Sequence, residues 1–224
     1  MALAFESFTL AAATADLADE PAAREHADCV EFRMDMAEDP RSALEAYAGA
    51  LPLIATNRPG WEGGEWTGDG RIEALEAAVE HDAVEAVDVE LTTLSNGDAH
   101  GLVERAVDLD VAVIVSTHDF EDTPARPELG RLLTRAGEVG DVAKLAVTAA
   151  DHGDALDLLA ATRAHAAAGA TVATMAMGEA GRHTRAVAPV YGSRIGYAPV
   201  DPGDATAPGQ YDLETLRSLV DALL

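Results

Sequence analysis

The chain has 224 residues, with 40 Asp or Glu against 15 Lys or Arg, a formal charge of −25 at neutral pH. So acidic a balance excludes nucleic acid as a partner, because phosphate binding needs a basic stripe. No run approaches the ~18 apolar residues that cross a bilayer, so no membrane association is expected. One cysteine, Cys29, permits neither an internal disulfide nor a thiolate metal cluster, so redox and zinc chemistry lose their footing.

In chain order, short segments rich in Val, Ile, Ala and Thr alternate with Ala/Leu/Glu stretches of helical period. Strands are predicted at 5–13, 29–34, 52–57, 83–91, 111–117, 141–147, 170–175 and 193–197. Helices are predicted at 17–26, 40–47, 71–81, 98–109, 126–139, 151–168 and 211–223, with one more short helix around 181–186. Pro40 directly after Asp39 reads as a helix start, and Gly169 after Ala168 as a helix stop. Strict alternation implies a parallel sheet with right-handed crossovers. Eight units in this length imply an α/β chain closed into a (β/α)₈ TIM barrel, a single catalytic domain over residues 1–224. An open doubly wound sheet is the competing architecture, but no G-x-G-x-x-G turn or P-loop follows the first strand. The N-terminus lacks a basic stretch followed by an apolar one, so no leader is expected and the location is read as cytoplasmic.

In such a barrel the active site is built at the C-terminal ends of the strands, so charges that interrupt apolar strands are the candidates. Lys144 is the only lysine in the chain, the other 14 basic residues being arginine. Period two along Asp141–Thr148 places Val142, Lys144, Ala146 and Thr148 on one face and Ala143, Leu145 and Val147 on the other. The lysine thus points into the barrel among small residues, the setting of an imine-forming amine; the alternative is a lysine paired with a lumen carboxylate. On the second strand, Cys29, Glu31, Arg33 and Asp35 share a face opposite Val30, Phe32 and Met34, and since helices cover the outside the charged set faces inward. Asp88 and Glu90 face inward on strand four by the same count. His118 ends strand five beside the strand that bears the lysine, where a strand-four carboxylate would orient its ring. Arg58 after strand three and Arg185 after strand seven are placed to grip an anion.

Together these residues carry a family resemblance. Glu31-Phe32-Arg33-Met34-Asp35, Thr56-Asn57-Arg58 with Glu62-Gly63-Gly64, Val89-Glu90-Leu91, Ser116-Thr117-His118-Asp119-Phe120, Val142-Ala143-Lys144, Thr184-Arg185 and Ala207-Pro208-Gly209-Gln210 resemble, in order, type I 3-dehydroquinate dehydratase. The resemblance implies cofactor-free, metal-free syn dehydration of 3-dehydroquinate to 3-dehydroshikimate in the shikimate pathway. It further implies Lys144 as the Schiff-base nucleophile, His118 as acid–base group and Glu90 as the group that orients it. Arg185 would bind the substrate carboxylate, and Glu31, Arg33, Arg58, Thr206 and Gln210 its hydroxyls and ring. A homodimer is expected on the same ground. Threonine stands at 184 and 206 where the family usually has serine, and the short N-terminal region implies a reduced floor hairpin. A lysine-dependent aldolase on the same barrel is a second reading, disfavoured by the lack of a phosphate-binding glycine signature in strand seven or eight. A catalytically dead scaffold is a third, disfavoured by intact Lys144, His118 and Glu90.

The acidic residues are spread along the helices, where mutual repulsion opens the fold at low ionic strength, and salt shortens its reach to about 3 Å at 1 M. A salt-rich cytoplasm, and with it a halophilic archaeal source, is the matching environment. The folded fraction, followed by circular dichroism, should rise steeply between low salt and molar KCl; a flat response would exclude this adaptation.

Overall fold

The computed structural model describes residues 3–201, 203 and 207–224. Its strands are β1 (Thr9–Thr14), β2 (Cys29–Arg33), β3 (Leu53–Thr56), β4 (Val84–Glu90), β5 (Ala112–Asp119), β6 (Val142–Thr148), β7 (Val172–Met177) and β8 (Ile195–Pro199). All seven ladders are parallel, in the order β7-β6-β5-β4-β3-β2-β1-β8. The ring closes between β8 and β7 through two contacts: the Arg194 N–H donates to the Val172 carbonyl (2.7 Å), and the Thr174 N–H to Ser193 Oγ (2.9 Å). Helices follow the strands, which makes the architecture the expected (β/α)₈ barrel.

Side-chain parity divides the molecule into zones. Outward residues, among them Val30, Phe32, Val87, Val89, Val113, Val115, Leu145 and Val147, pack with Leu75, Leu102, Leu129, Leu133 and Leu158 of the helices in one apolar layer. Inward residues of the lower lumen, Ala11, Cys29, Ile54, Ala86, Ile114, Val142, Ala173 and Ile195, form a second apolar cluster that floors the barrel. Above that floor the inward positions turn polar: Glu31, Arg33, Thr56, Asp88, Glu90, Ser116 and Lys144 are all buried. The floor removes water from below and leaves the mouth as the one side from which a ligand enters.

Element boundaries move for identifiable reasons. β1 begins at Thr9 instead of residue 5 because Phe5 takes a left-handed backbone (φ 48°) and turns its buried ring into the floor cluster. No strand precedes Thr9 among the described residues, and Phe5 plugs the floor where the resemblance implied a reduced hairpin. β5 extends to Asp119 because His118 and Asp119 still pair with Ala146 and Val147 of β6. The unforeseen helix Leu91–Asn96 springs directly off β4 and stops at Gly97 (φ 89°); Thr92, Thr93, Ser95 and Asn96 give it poor intrinsic helix preference. The predicted helix at 17–26 contracts to a 3₁₀ turn, Leu17–Asp19, and Glu20–Ala23. The single short helix near 181–186 is two, Gly178–Gly181 and Thr184–Val187. Pro40 does open its helix, with the Asp39 side chain accepting from the Ser42 N–H.

The plug makes a stability prediction. Phe5→Ala removes a buried ring from a packed floor and should cost about 3 kcal/mol or more in denaturant unfolding at high salt, with KM little changed because the ring lies far below the mouth.

Candidate active site

Lys144 is held in the middle of β6, pointing inward and buried, by a register that pairs it with Ser116 on β5 and Ala173 on β7. Its Nζ donates to Asp88 Oδ2 at 2.8 Å, lies 3.6 Å from Glu31 Oε1, and sits 4.1 Å from the centroid of the Tyr197 ring. Asp88 is fully buried; its other oxygen accepts from Ser116 Oγ (2.6 Å) and pairs with Arg58 Nη2 (2.7 Å). Burial alone would raise the Asp88 carboxyl, but Arg58 and Lys144 hold it well below the usual carboxylate range.

His118 lies one turn of the pleat above, at the upper end of β5. Its partner is Glu62: Oε1 accepts from the His118 backbone N–H (3.0 Å) and contacts Nδ1 at 2.9 Å. Glu62 thus engages Nδ1, and Nε2 is the ring nitrogen left for a ligand; with the proton on Nδ1 its lone pair is free. This corrects the expectation for Glu90. Register puts Glu90 opposite Ser116, two residues below His118, and its carboxylate is taken by Arg58 (2.9 Å), Arg71 (2.8 Å) and the Thr93 hydroxyl (2.8 Å). Glu62 reaches the imidazole because the loop after β3 folds back on itself. At Gly64 a Cβ would strike the Arg58 carbonyl at 2.1 Å, and at Gly63 (φ 78°) it would strike the Phe120 ring at 2.2 Å. The two glycines after Glu62 were the sequence signal for that approach.

The titration of this pair is set by its surroundings. Burial, with Arg58 and Lys144 nearby, pushes His118 well below the ordinary imidazole range, so the ring is held neutral. Burial also pushes Glu62 up to about 8, with Arg58 opposing and Glu90 and Asp88 adding to the rise.

Arg33 makes a bidentate pair with Asp35 (2.9 and 2.7 Å), and Asp35 also accepts the Glu65 N–H (3.0 Å), tying β2 to the β3 loop. Glu31 accepts from Thr56 Oγ1 (3.1 Å). Arg185 is buried; its Nη2 donates to the Pro208 carbonyl (3.2 Å), its Nε has no hydrogen-bond partner among the described residues, and burial pushes it down to about 10. Among the described residues no carboxylate pairs with it, so it is a cation awaiting an anion. Thr184 positions it by a staple, its hydroxyl donating to the Gly181 carbonyl (2.7 Å) and accepting the Ala176 N–H (2.8 Å). Gln210 Oε1 accepts the Ala207 N–H at 3.1 Å. Thr206 lies outside the described residues. The structure therefore brings Lys144, His118, Glu31, Arg33, Arg58, Arg185 and Gln210 around one cavity, with Glu62, Phe120, Met175, Met177 and Tyr197 completing its wall. Glu90 lies behind Arg58. Among the described residues, no group of three or more His, Cys, Asp or Glu side chains is arranged to hold a metal ion.

Chemically, the cavity offers a primary amine, a neutral imidazole and an unpaired guanidinium, the set needed to form an imine with a ketone, move a proton at the adjacent carbon and hold a carboxylate. The type I 3-dehydroquinase family model matches residues 7–223. A 3-dehydroquinate dehydratase of Haloarcula marismortui is 59% identical over 223 residues, covering 98% of this chain and 97% of the relative. One of Haloquadratum walsbyi is 53% identical over 232 residues, covering 99% and 95%. The crystal structure of 3-dehydroquinate dehydratase from Geobacillus kaustophilus superposes with a TM-score of 0.86 at 26% identity, over 97% of this chain and 91% of that one.

The raised Glu62 carboxyl has a signed consequence for stability. A group whose folded pKa exceeds its unfolded value contributes most below the unfolded value, here 4.5, and loses that contribution as pH rises through about 8. Glu62→Gln lacks this dependence, so in matched unfolding curves at high salt it should gain about 3 kcal/mol or more relative to the wild type between pH 5 and pH 9. A pH-independent difference between the two would contradict the buried, proton-retaining carboxyl.

Proposed function

The chain belongs to the type I 3-dehydroquinase family, and from that premise we propose that Lys144 attacks the ketone of 3-dehydroquinate while His118 carries the proton of the dehydration. The activity is the hydro-lyase reaction of that family, 3-dehydroquinate to 3-dehydroshikimate and water, a step of the shikimate pathway toward aromatic amino acids. The observation that carries the residue assignment is the common cavity of Lys144 Nζ, His118 and the unpaired Arg185.

The sequence of steps follows from the groups present. The Lys144 ammonium gives up a proton, the free amine adds to the ketone, and the carbinolamine takes that proton back on its hydroxyl as water leaves, giving the iminium. The iminium is an electron sink that acidifies the adjacent C–H, and His118 Nε2 takes that proton, its ring held by Glu62 through Nδ1. The electron pair moves to nitrogen as an enamine. It then returns to expel the β-hydroxyl, which leaves as water with the proton that His118 gives back on the same face. Hydrolysis of the product iminium frees Lys144. Arg185 binds the substrate carboxylate, replacing the partner its Nε lacks, while Glu31, Arg33, Arg58, Thr206 and Gln210 bind hydroxyls and the ring. Glu62, in place of Glu90, is the orienting carboxyl group; Glu90 acts by fixing Arg58.

The same reading extends to a single catalytic barrel over residues 1–224 that works, without metal or organic cofactor, as a homodimer in a salt-rich cytoplasm. The acidic composition and the halophilic relatives support the setting. No helix of the described residues is long and apolar enough to cross a membrane.

Borohydride added during turnover in molar salt should fix substrate mass on Lys144, read by peptide mass spectrometry; an adduct elsewhere, or none, overturns the assignment. Lys144→Ala should abolish the ultraviolet absorbance of the enone product. His118→Ala should still trap the imine but slow elimination by about 10² to 10⁴.

A further inference from the structure

We propose that Asp88 is the counter-ion of the Lys144 iminium: its fixed carboxylate keeps the imine nitrogen protonated through the covalent stage of the reaction. The proposal rests on the Schiff-base reading of Lys144. It begins from charge balance. Condensation of R–NH₃⁺ with O=C gives R–NH⁺=C and H₂O, so nitrogen carries one positive charge before and after, and one N–H of three survives on it. At hydrogen-bond distance that N–H has one acceptor among the described residues, Asp88 Oδ2 at 2.8 Å, since Glu31 Oε1 lies farther out at 3.6 Å and already accepts from Thr56. The Tyr197 ring, 4.1 Å away, adds a face that favours a cation at the same atom.

Proton removal from the adjacent carbon gives a neutral enamine when the imine is protonated and an anion when it is not. An unprotonated imine is therefore nearly inert toward a base such as imidazole. Asp88 is suited to prevent that state because it is itself unable to take the proton or turn away. Its Oδ1 is tied to Ser116 Oγ (2.6 Å) and Arg58 Nη2 (2.7 Å), and the side chain is fully buried. It acts as a fixed negative charge. The other ionisable groups around the cavity are Glu31 and Arg33 of β2, Arg58 and Glu62 after β3, Glu90 of β4, His118 of β5, Tyr197 of β8 and Arg185. The inward residues Ala11 of β1 and Ala173, Met175 and Met177 of β7 carry no charge. Arg58 shares Asp88 with Lys144 and is offset by Asp88 and Glu90 together. Removing the Asp88 charge takes away the carboxylate in contact with the nitrogen and leaves Arg58 offset by Glu90 alone.

The test compares kcat against pH for Asp88→Asn, which keeps the shape and an acceptor oxygen, and for Asp88→Glu, which restores the charge. In the Asn variant the alkaline limb should move to lower pH by about one to three units, the effect of removing an opposite charge at this distance. Borohydride should still trap substrate on Lys144 at acid pH, and the Glu variant should return the limb toward the wild-type position. An unmoved limb in an Asn variant that still traps would overturn the inference. Absence of any Lys144 adduct in the wild type would instead overturn the Schiff-base reading. A second measurement needs no variant: in the wild-type adduct the C=N stretch should shift on exchange into D₂O even at alkaline pH. A stretch insensitive to D₂O there would show an unprotonated imine and defeat the proposal.

Discussion

Arg58 is buried in the lumen with its terminal nitrogens spread across three carboxylates, Asp88 at 2.7 Å, Glu90 at 2.9 Å and Glu62 at 4.0 Å. Burial would favour loss of its proton, and those carboxylates reverse that tendency, holding it firmly charged. The exchange is mutual, because the guanidinium keeps Asp88 ionised next to Lys144 and takes Glu90 out of reach of the imidazole. What remains for His118 is Glu62, the acid most weakly claimed by Arg58. One arginine at the end of β3 therefore sets the state of the amine's partner and the identity of the imidazole's partner.

Such a network is affordable only in a particular kind of cavity. Taking paired ions out of water costs several kcal/mol per ion unless their remaining lone pairs and protons are satisfied. Around Arg58 they are: Ser116 bridges it to Asp88, Thr93 and Arg71 complete Glu90, and Thr56 completes Glu31. The apolar floor of Ile54, Ala86, Ile114 and Val142 excludes water from beneath. Against that background the polar atoms left without partners stand out. Two of them, Arg185 Nε and Tyr197 Oη, belong to residues of the cavity wall. A donor-rich gap beside an amine selects an anionic, oxygen-rich carbonyl compound.

Much of this was legible from alternation alone. Counting by twos put Glu31, Arg33, Asp88, Glu90 and Lys144 into the lumen, since outward positions had to be apolar to meet the helices, and all five are buried there. The same count could say which way a side chain points and not what it meets across the barrel. The count left His118 an unnamed strand-four carboxylate and the resemblance implied Glu90, although the register sets that residue against Ser116. Glu62 escaped because it lies on a loop, where no period applies. Its position follows from a 3₁₀ turn over Gly60–Glu62 and from two glycines that let the backbone press against Arg58 and Phe120. Tyr197 was missed for the same reason, and Asp35 was placed inward without its partner: their roles are contacts between elements distant in sequence, Asp35 with the Glu65 backbone and Tyr197 with Lys144.

The lone lysine fits this electrostatic picture. On the outside of the barrel, positive charge is supplied by arginine in ion pairs: Arg24 with Glu20, Arg41 with Glu45, Arg105 with Glu80, Arg131 with Glu128 and Arg217 with Asp28. A planar fork with several donors suits an acidic surface in which each cation must serve more than one carboxylate oxygen. Arginine could replace lysine wherever only charge and hydrogen bonds were needed. It cannot do so where nitrogen must lose protons and bond to carbon, because the guanidinium stays protonated and its lone pairs are delocalised. The one lysine stands at 144, where the proposed imine chemistry calls for a primary amine. The neighbours of that amine, a fixed carboxylate and an aromatic face, are those that stabilise a cation on nitrogen in both the ammonium and the iminium.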